Sequence, residues 1–147
     1  AIHPGDAVLD LGCGSGILSI AALLLGANSA VAVDIDPIAE RIAAENAALN
    51  GIPAARYAVW IGDILTDAAL QEHVAGAYDA VCANIVADVI IRLAPLAKRC
   101  AKPGAPFIVS GVIDDRRDEV VQALTGAGFS IEAVAAAESW VAILARA

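Results

Sequence analysis

Short apolar runs alternate along the chain with longer segments in which apolar residues recur at helical spacing. Seven of the short runs predict strands, over residues 7–11, 30–36, 55–63, 77–84, 106–111, 130–136 and 140–146. The last two runs lie too close together for a crossover helix. They are therefore expected to pair antiparallel.

Helices are predicted over residues 17–25, 37–50, 86–100 and 114–125. The second is the best defined, because Asp36 stands at its N-cap, Pro37 at its first position and Gly51 just past its end. The segment around His73 is interpreted as a loop or a helix. Five βα units followed by a hairpin predict an α/β fold: a doubly wound, Rossmann-like, mostly parallel seven-stranded sheet with an antiparallel C-terminal hairpin.

Glycines and polar residues end several of the predicted strands. In a doubly wound sheet, ligands bind beyond the carboxyl ends of the strands, where the strand order reverses. This rule indicates the loop 12–16, together with Asp34, Asp63 and Asn84, as candidate ligand contacts.

The glycine spacing does not match a site for a phosphate-bearing cofactor. A dinucleotide pattern that starts at Gly12 requires a third glycine where Ile17 stands, and one that starts at Gly14 requires it where Ser19 stands. The Gly-Lys-Ser/Thr triplet of a phosphate-binding loop occurs nowhere in the chain. Phosphate binding is therefore not favoured.

The aspartates around the loop favour a positively charged ligand. Asp10 precedes Gly12, Gly14 and Gly16, and a carboxylate there suits an ammonium group better than a pyrophosphate. Asp34 ends the next strand, where a carboxylate can accept both ribose hydroxyls. S-adenosylmethionine has an ammonium group, a sulfonium and a ribose but no phosphate. The structural alternative is a glycine-rich turn whose aspartates only cap helices.

Charge and composition narrow the class of partner. The net charge of −8 argues against sequence-independent nucleic-acid binding and is compatible with a basic partner. No apolar run approaches the length of a membrane-spanning helix, which is about 18 residues or more, and no secretion signal is visible. Three cysteines without a Cys-x-x-Cys pair predict buried, reduced thiols in a cytoplasmic protein and no metal site. Trp60 and Trp140 are expected in the core, and both histidines at the surface.

The motifs VLDLGCGSG, VAVDIDP, IGD and YDAVCANI resemble those of class I S-adenosylmethionine-dependent methyltransferases. The resemblance implies that Asp10, Gly12 and Gly14 line the methionine part of the cofactor. It likewise implies that Asp34 holds the ribose and that Asp63 with Ile64 adjoins the adenine. The expected cofactor-binding residues lie at or just after the ends of four strands. They are Asp10, Gly12, Gly14, Gly16, Asp34, Ile35, Asp63, Ile64 and Asn84.

Longer stretches, among them ANIVADVIIRLAP and GFSIEAVAAAESWVAILAR, are similar to the catalytic domain of the ribosomal protein L11 methyltransferase family. This resemblance implies N-methylation of lysine and N-terminal amines on a basic ribosomal protein. The family's amino-terminal L11-binding domain and the threonine-bearing segment before its first strand have no counterpart in 1–147. We therefore expect 1–147 to be one methyltransferase domain of a longer protein, and its activity in isolation stays open.

Asn84 is the candidate catalytic residue, because its side-chain oxygen could accept an N–H of the acceptor amine. Enzymes that methylate adenine or glutamine amides resemble one another in an Asn/Asp-Pro-Pro-aromatic motif at this point, whereas this chain has Asn84-Ile85-Val86-Ala87. An aliphatic amine on a protein is thus favoured over a flipped base. Asn84 could instead cap the next helix. Asp88 is interpreted as a surface residue rather than a base. Two other functions remain open, a small-molecule methyltransferase and a cofactor-binding domain without activity.

Overall fold

Seven strands form one mixed sheet in the computed structural model, which describes residues 1–147. The strands are β1 (Ala7–Leu11), β2 (Ser29–Asp34), β3 (Tyr57–Ile61), β4 (Ala80–Asn84), β5 (Pro106–Ile113), β6 (Ser130–Ala137) and β7 (Trp140–Arg146). The helices are α1 (Ile17–Leu24), α2 (Ile38–Leu49), α3 (Ala68–Val74), α4 (Ala87–Cys100) and α5 (Arg117–Gly126). None of them is long and apolar enough to cross a bilayer.

The strand order is β3-β2-β1-β4-β5-β7-β6. Strands β1 to β5 pair in parallel, and β7 lies antiparallel between β5 and β6. The order reverses beside β1, whose neighbours are β2 and β4, so ligands are expected at the carboxyl ends of β1 and β4. The predicted doubly wound sheet with an antiparallel C-terminal hairpin is confirmed.

Most differences from the predicted boundaries arise in the turns. β2 ends at Asp34, two residues early, because the Asp34 carboxylate accepts the N–H of Asp36 at 2.9 Å and starts a turn. Asp36 in turn accepts the N–H of Ile38 at 3.0 Å, but α2 begins at Ile38, so Pro37 and not the predicted Asp36 is its N-cap. The segment around His73, for which the sequence allows a loop or a helix, is helical. Asp67 caps this helix by accepting the N–H of Leu70.

The prediction that both tryptophans lie in the core is wrong. Trp60 is 39% exposed because β3 is an edge strand, and its ring stacks on His73 with 4.6 Å between centroids. Trp140 is 55% exposed on β7. The three cysteines are buried and free, as predicted.

Core residues lie on both faces of the sheet, but one of the two faces is covered over only part of its area. The larger apolar cluster includes Leu9 and Phe107 with residues of α4 and α5, and the smaller one joins Val8 to Ile20 of α1. Along β7, residues alternate between buried and more exposed positions, and Ala142 is exposed beside the buried Ile143. The second face of the C-terminal hairpin is therefore open.

Candidate functional site

A cleft of about 420 Å³ opens at the carboxyl ends of the strands. Five of the predicted site residues line it: Gly12, Asp34, Ile35, Asp63 and Ile64. Asp10, Gly14, Gly16 and Asn84 do not line it. The size is that of a site for a small organic ligand, which is typically about 300–1,000 Å³.

Gly12 leaves room for the cleft where β1 ends. Its φ of +78° lies in the left-handed region, and its N–H donates to Val33 O at 2.8 Å. A Cβ on Gly12 would lie 2.5 Å from Ile85 Cγ2, inside the van der Waals distance. Both the backbone conformation and the approach of Ile85 therefore require glycine here.

Asp34 joins the end of β2 to the glycine loop. Its Oδ2 accepts the N–H of Gly14 at 2.7 Å, and its Oδ1 accepts the N–H of Asp36 at 2.9 Å. These two hydrogen bonds fix a carboxylate in the wall of the cleft. Each oxygen keeps a second lone pair, so the carboxylate can still accept hydrogen bonds from a ligand.

The N–H groups of the three loop glycines are not free to bind an anion. Each glycine N–H has a protein acceptor: Val33 O for Gly12, Asp34 Oδ2 for Gly14 and Cys13 O for Gly16, at 2.8, 2.7 and 2.8 Å. A phosphate-binding loop needs such N–H groups directed at the ligand. The geometry thus agrees with the spacing in disfavouring a phosphate.

Asp10 lies beneath the loop and is 1% exposed. Its Oδ2 accepts the hydroxyl of Ser19 at 2.6 Å and the N–H of Ser19 at 3.2 Å. Gly16, the N-cap of α1, has no side chain to offer, so the carboxylate of β1 does the capping from outside the helix. Burial raises the pKa of Asp10, and its Oδ1 has no hydrogen-bond partner.

Cys13 and Tyr57 lie near Asp10 and stay protonated at neutral pH. Burial, with the nearby Asp10 and Asp34 carboxylates, raises the pKa of the Cys13 thiol to about 12, so it is no nucleophile at neutral pH. Burial also raises the pKa of Tyr57, whose buried hydroxyl has no hydrogen-bond partner. Neither side chain is therefore ionised at neutral pH.

The β3–α3 turn forms another wall of the cleft. Asp63 Oδ1 accepts the N–H of Leu65 at 3.0 Å, and Asp63 O accepts the N–H of Thr66 at 3.1 Å. The turn thereby holds the buried Ile64 against the cleft. An apolar wall beside a carboxylate suits a flat heteroaromatic ring that carries hydrogen-bond donors.

Asn84 is exposed at the end of β4, next to Ile85 of the cleft wall. Its Oδ1 accepts the hydroxyl of Ser110 at 3.2 Å. The alternative that Asn84 caps the next helix is wrong, because α4 begins at Ala87 and no side chain caps it. Asp88 is 75% exposed and pairs with Arg116 at 2.6 Å, as expected for a surface residue.

Helix α4 also lines the cleft, which is not among the contributions that the sequence predicts. Eight further residues line it, most of them apolar: Val33, Gly62, Leu65, Ile85, Val86, Val89, Arg92 and Leu93. The spacing of Val86, Val89 and Leu93 marks one face of a helix, which was a usable signal. Which face meets the cleft depends on tertiary packing.

Comparisons with known proteins agree on one family. The family described as ribosomal protein L11 methyltransferase (PrmA) matches residues 1–147. The ribosomal protein L11 methyltransferases of Exiguobacterium sp. and Geobacillus thermodenitrificans are 46% and 43% identical over 99% and 98% of this chain. The match covers 44% of each relative, so the chain spans about half the length of these relatives.

One solved structure gives the same result, and a second shares the fold. The ribosomal protein L11 methylase of Lactobacillus delbrueckii subsp. bulgaricus superposes with a TM-score of 0.88 at 34% identity, over 99% of this chain and 71% of that chain. An RNA methyltransferase of Salinibacter ruber, solved with S-adenosyl-L-homocysteine, has a TM-score of 0.69 at 20% identity over 96% of this chain and 80% of its own, which shows the fold alone. Because the family match extends over all of 1–147, the chain belongs to the ribosomal protein L11 methyltransferase family.

Proposed function

We propose that residues 1–147 bind S-adenosylmethionine in the 420 Å³ cleft and transfer its methyl group to an amine of a protein. The observation that carries the proposal is the loop itself, where every glycine N–H is occupied and carboxylates rather than cations adjoin the glycines. Such a loop suits a nucleoside that carries positive charge and no phosphate. When bound, the cofactor would supply an electrophilic methyl group on sulfur.

The residues present fit this cofactor. Asp34, which lines the cleft, would accept the ribose hydroxyls, and Asp63 with Ile64 would adjoin the adenine. Gly12 would let the backbone approach the methionine part closely. Asp10 would act from below, by holding the start of α1 and placing a buried, unpartnered carboxylate oxygen under the loop.

Asn84 would orient the acceptor. A methyl transfer by direct displacement requires a neutral amine whose lone pair is aligned with the methyl carbon, so positioning is the main task of the protein. An amide oxygen can accept an amine N–H without favouring the charged ammonium form, as a carboxylate would. The segment Asn84–Ile85–Val86 provides no aromatic ring on which a base could stack, and this favours an aliphatic amine.

The acceptor that fits these features is ribosomal protein L11, after which the relatives are named. A net charge of −8 would assist association with a basic ribosomal protein. An acceptor of this kind places the reaction in the cytoplasm. Direct binding to nucleic acid or to membranes forms no part of the proposal.

The domain would function within a longer polypeptide. The curated relatives are about twice as long as this chain, and one face of its C-terminal hairpin is exposed. Three cross-strand pairs on that face are apolar: Ala133–Leu144, Ala135–Ala142 and Ala137–Trp140. A solvated face of an antiparallel sheet normally carries polar residues, so we propose that a segment of the same polypeptide outside 1–147 packs there.

Mass spectrometry of L11 tests the proposed reaction. L11 incubated with the full-length protein and S-adenosylmethionine should gain mass in steps of one methylene, and peptide mapping should place the gain on lysine or N-terminal amines. Transfer to small amines but not to L11 would favour a small-molecule methyltransferase. Cofactor binding without any transfer would favour a binding domain.

A further inference from the structure

Strand β5 carries a β-bulge at Ser110 and Gly111, directly beside the end of β4. Val109 pairs with Ile143 and Val112 with Val141, so β5 has one more residue than β7 across this interval. Ser110 lies in register with Asn84 of the neighbouring parallel strand. Bulges are common next to active sites, where they redirect a side chain or end regular pairing.

Both bulge residues contact the end of β4. The Ser110 hydroxyl donates to Asn84 Oδ1 at 3.2 Å. Gly111 has a φ of +77°, and a Cβ on it would lie 2.7 Å from the same Asn84 oxygen and 3.0 Å from Ile85 N. The bulge thus holds the Asn84 side chain by one hydrogen bond and by close backbone packing.

Satisfying buried polar groups does not explain this hydrogen bond. Asn84 is exposed and Ser110 is half-buried, so water could serve both side chains. The hydrogen bond instead restricts rotation of the Asn84 side chain about its Cα–Cβ and Cβ–Cγ bonds. The amide oxygen keeps a second lone pair for another donor.

We propose that the Ser110–Gly111 bulge is a positioning device for Asn84, with Ser110 as the positioning residue that sets the side-chain orientation for methyl transfer. This inference rests on the proposed function, because it assumes that Asn84 contacts the acceptor amine. Ser110 itself contacts neither cofactor nor acceptor. Its loss should therefore lower kcat and leave the KM for S-adenosylmethionine unchanged.

Kinetics on the full-length protein with L11 as acceptor test the catalytic part. Ser110→Ala should lower kcat by about 2–10-fold, the cost of one neutral hydrogen bond. Ser110→Thr, which keeps the hydroxyl, should restore most of the rate, and Ser130→Ala on exposed β6 is the matched control. In an Asn84→Ala background, Ser110→Ala should have no further effect. An unchanged kcat in Ser110→Ala would overturn the inference. So would an equally large effect of Ser110→Ala on kcat in the Asn84→Ala background.

Gly111→Ala tests the packing contact, with Gly104→Ala as its control. Both glycines have a φ of +77°, but a Cβ at Gly104 meets nothing within 4 Å. The two variants therefore share the backbone strain, and only Gly111→Ala displaces Asn84. We expect a larger loss of kcat in Gly111→Ala than in Gly104→Ala. Equal losses would count against a positioning role of the bulge.

Nuclear magnetic resonance separates this inference from the proposed function. The side-chain amide signals of Asn84, assigned by their absence in Asn84→Asp, should shift in Ser110→Ala and show a lower order parameter, but should stay unchanged in Ser130→Ala. If the protein transferred no methyl group to L11, the proposed function would fail while these signals still reported the positioning. Identical Asn84 signals in the wild type and Ser110→Ala would refute it.

Discussion

Gly12 lies where β1 leaves the sheet, and its missing side chain keeps the cleft open toward Ile85. In Gly12→Ala, the new methyl group and Ile85 would compete for the same space, so the loop or the cleft wall must move. We expect affinity for S-adenosylhomocysteine to fall by about tenfold or more, because overpacking of this kind costs ~1–3 kcal/mol. Titration calorimetry would measure it.

Gly51→Ala is the matched control for this prediction. Gly51 also has a positive φ, of +69°, but its Cβ would meet nothing within 4 Å, and the residue lies past the end of α2. This variant should bind S-adenosylhomocysteine as the wild type does. Equal affinities for both variants and the wild type would show that the cleft floor at Gly12 takes no part in binding.

The buried carboxylate of Asp10 predicts a pH dependence of stability. Its pKa is raised above the ordinary value of 3.8, mainly by burial, so the folded state binds this proton more tightly than the unfolded state. The wild type should therefore lose stability relative to Asp10→Asn as pH rises through 3.8 and up to the raised value. Urea unfolding of both proteins between pH 4 and pH 8 would check it, and a wild type that gains stability relative to Asp10→Asn as pH rises would contradict it.

At the scale of elements, α1 depends on a residue of β1 for its first turn. Asp10 replaces the side-chain cap that Gly16 lacks, and the buried Ser19 hydroxyl completes the contact. Ser19→Ala should lower the free energy of unfolding by about 1–3 kcal/mol, because it removes the closest donor of a buried carboxylate. Ser130→Ala should change it by less than ~0.5 kcal/mol. Similar urea midpoints for the two variants would refute the role of Ser19.

The elements that the sequence predicted correctly carry strong local signals. The strands of the parallel sheet are apolar on both faces, and α2 has Asp36, Pro37 and Gly51 at its ends. The seven residues of α3 are too few to establish a helical period, so the sequence allows either a loop or a helix there. The position of Trp60 depends on strand order, since β3 is buried on fewer sides as an edge strand. Strand order is a long-range property that no local pattern records.

The same distinction applies to the candidate site. Gly12, Asp34 and Asp63 could be predicted to meet, because each follows a parallel strand and these strands end at one edge. The contribution of α4 to the cleft wall could not be predicted, because the rotation of that helix about its axis depends on its packing. The burial of Asp10 was equally hidden, since its sequence position does not show that the loop folds over it.

At the scale of the whole molecule, the open face of the C-terminal hairpin predicts a difference between this chain and the full-length protein. Trp140 lies on that face, whereas Trp60 lies on the opposite edge strand. Oxidative footprinting should find both tryptophans reactive in 1–147, and Trp140 but not Trp60 protected in the full-length protein. Equal reactivity of Trp140 in the two proteins would show that no segment of the same polypeptide covers the face.

Titration calorimetry of 1–147 with S-adenosylhomocysteine tests directly whether the cleft takes a nucleoside cofactor without phosphate. We expect saturable binding to the folded chain and no binding of NAD. Asp34→Ala should lower the affinity by about tenfold or more, as expected for hydrogen bonds to a charged group, while exposed Asp115→Ala should not. Absence of binding by a chain that circular dichroism shows to be folded, or binding of NAD in its place, would show that the cleft does not take such a cofactor.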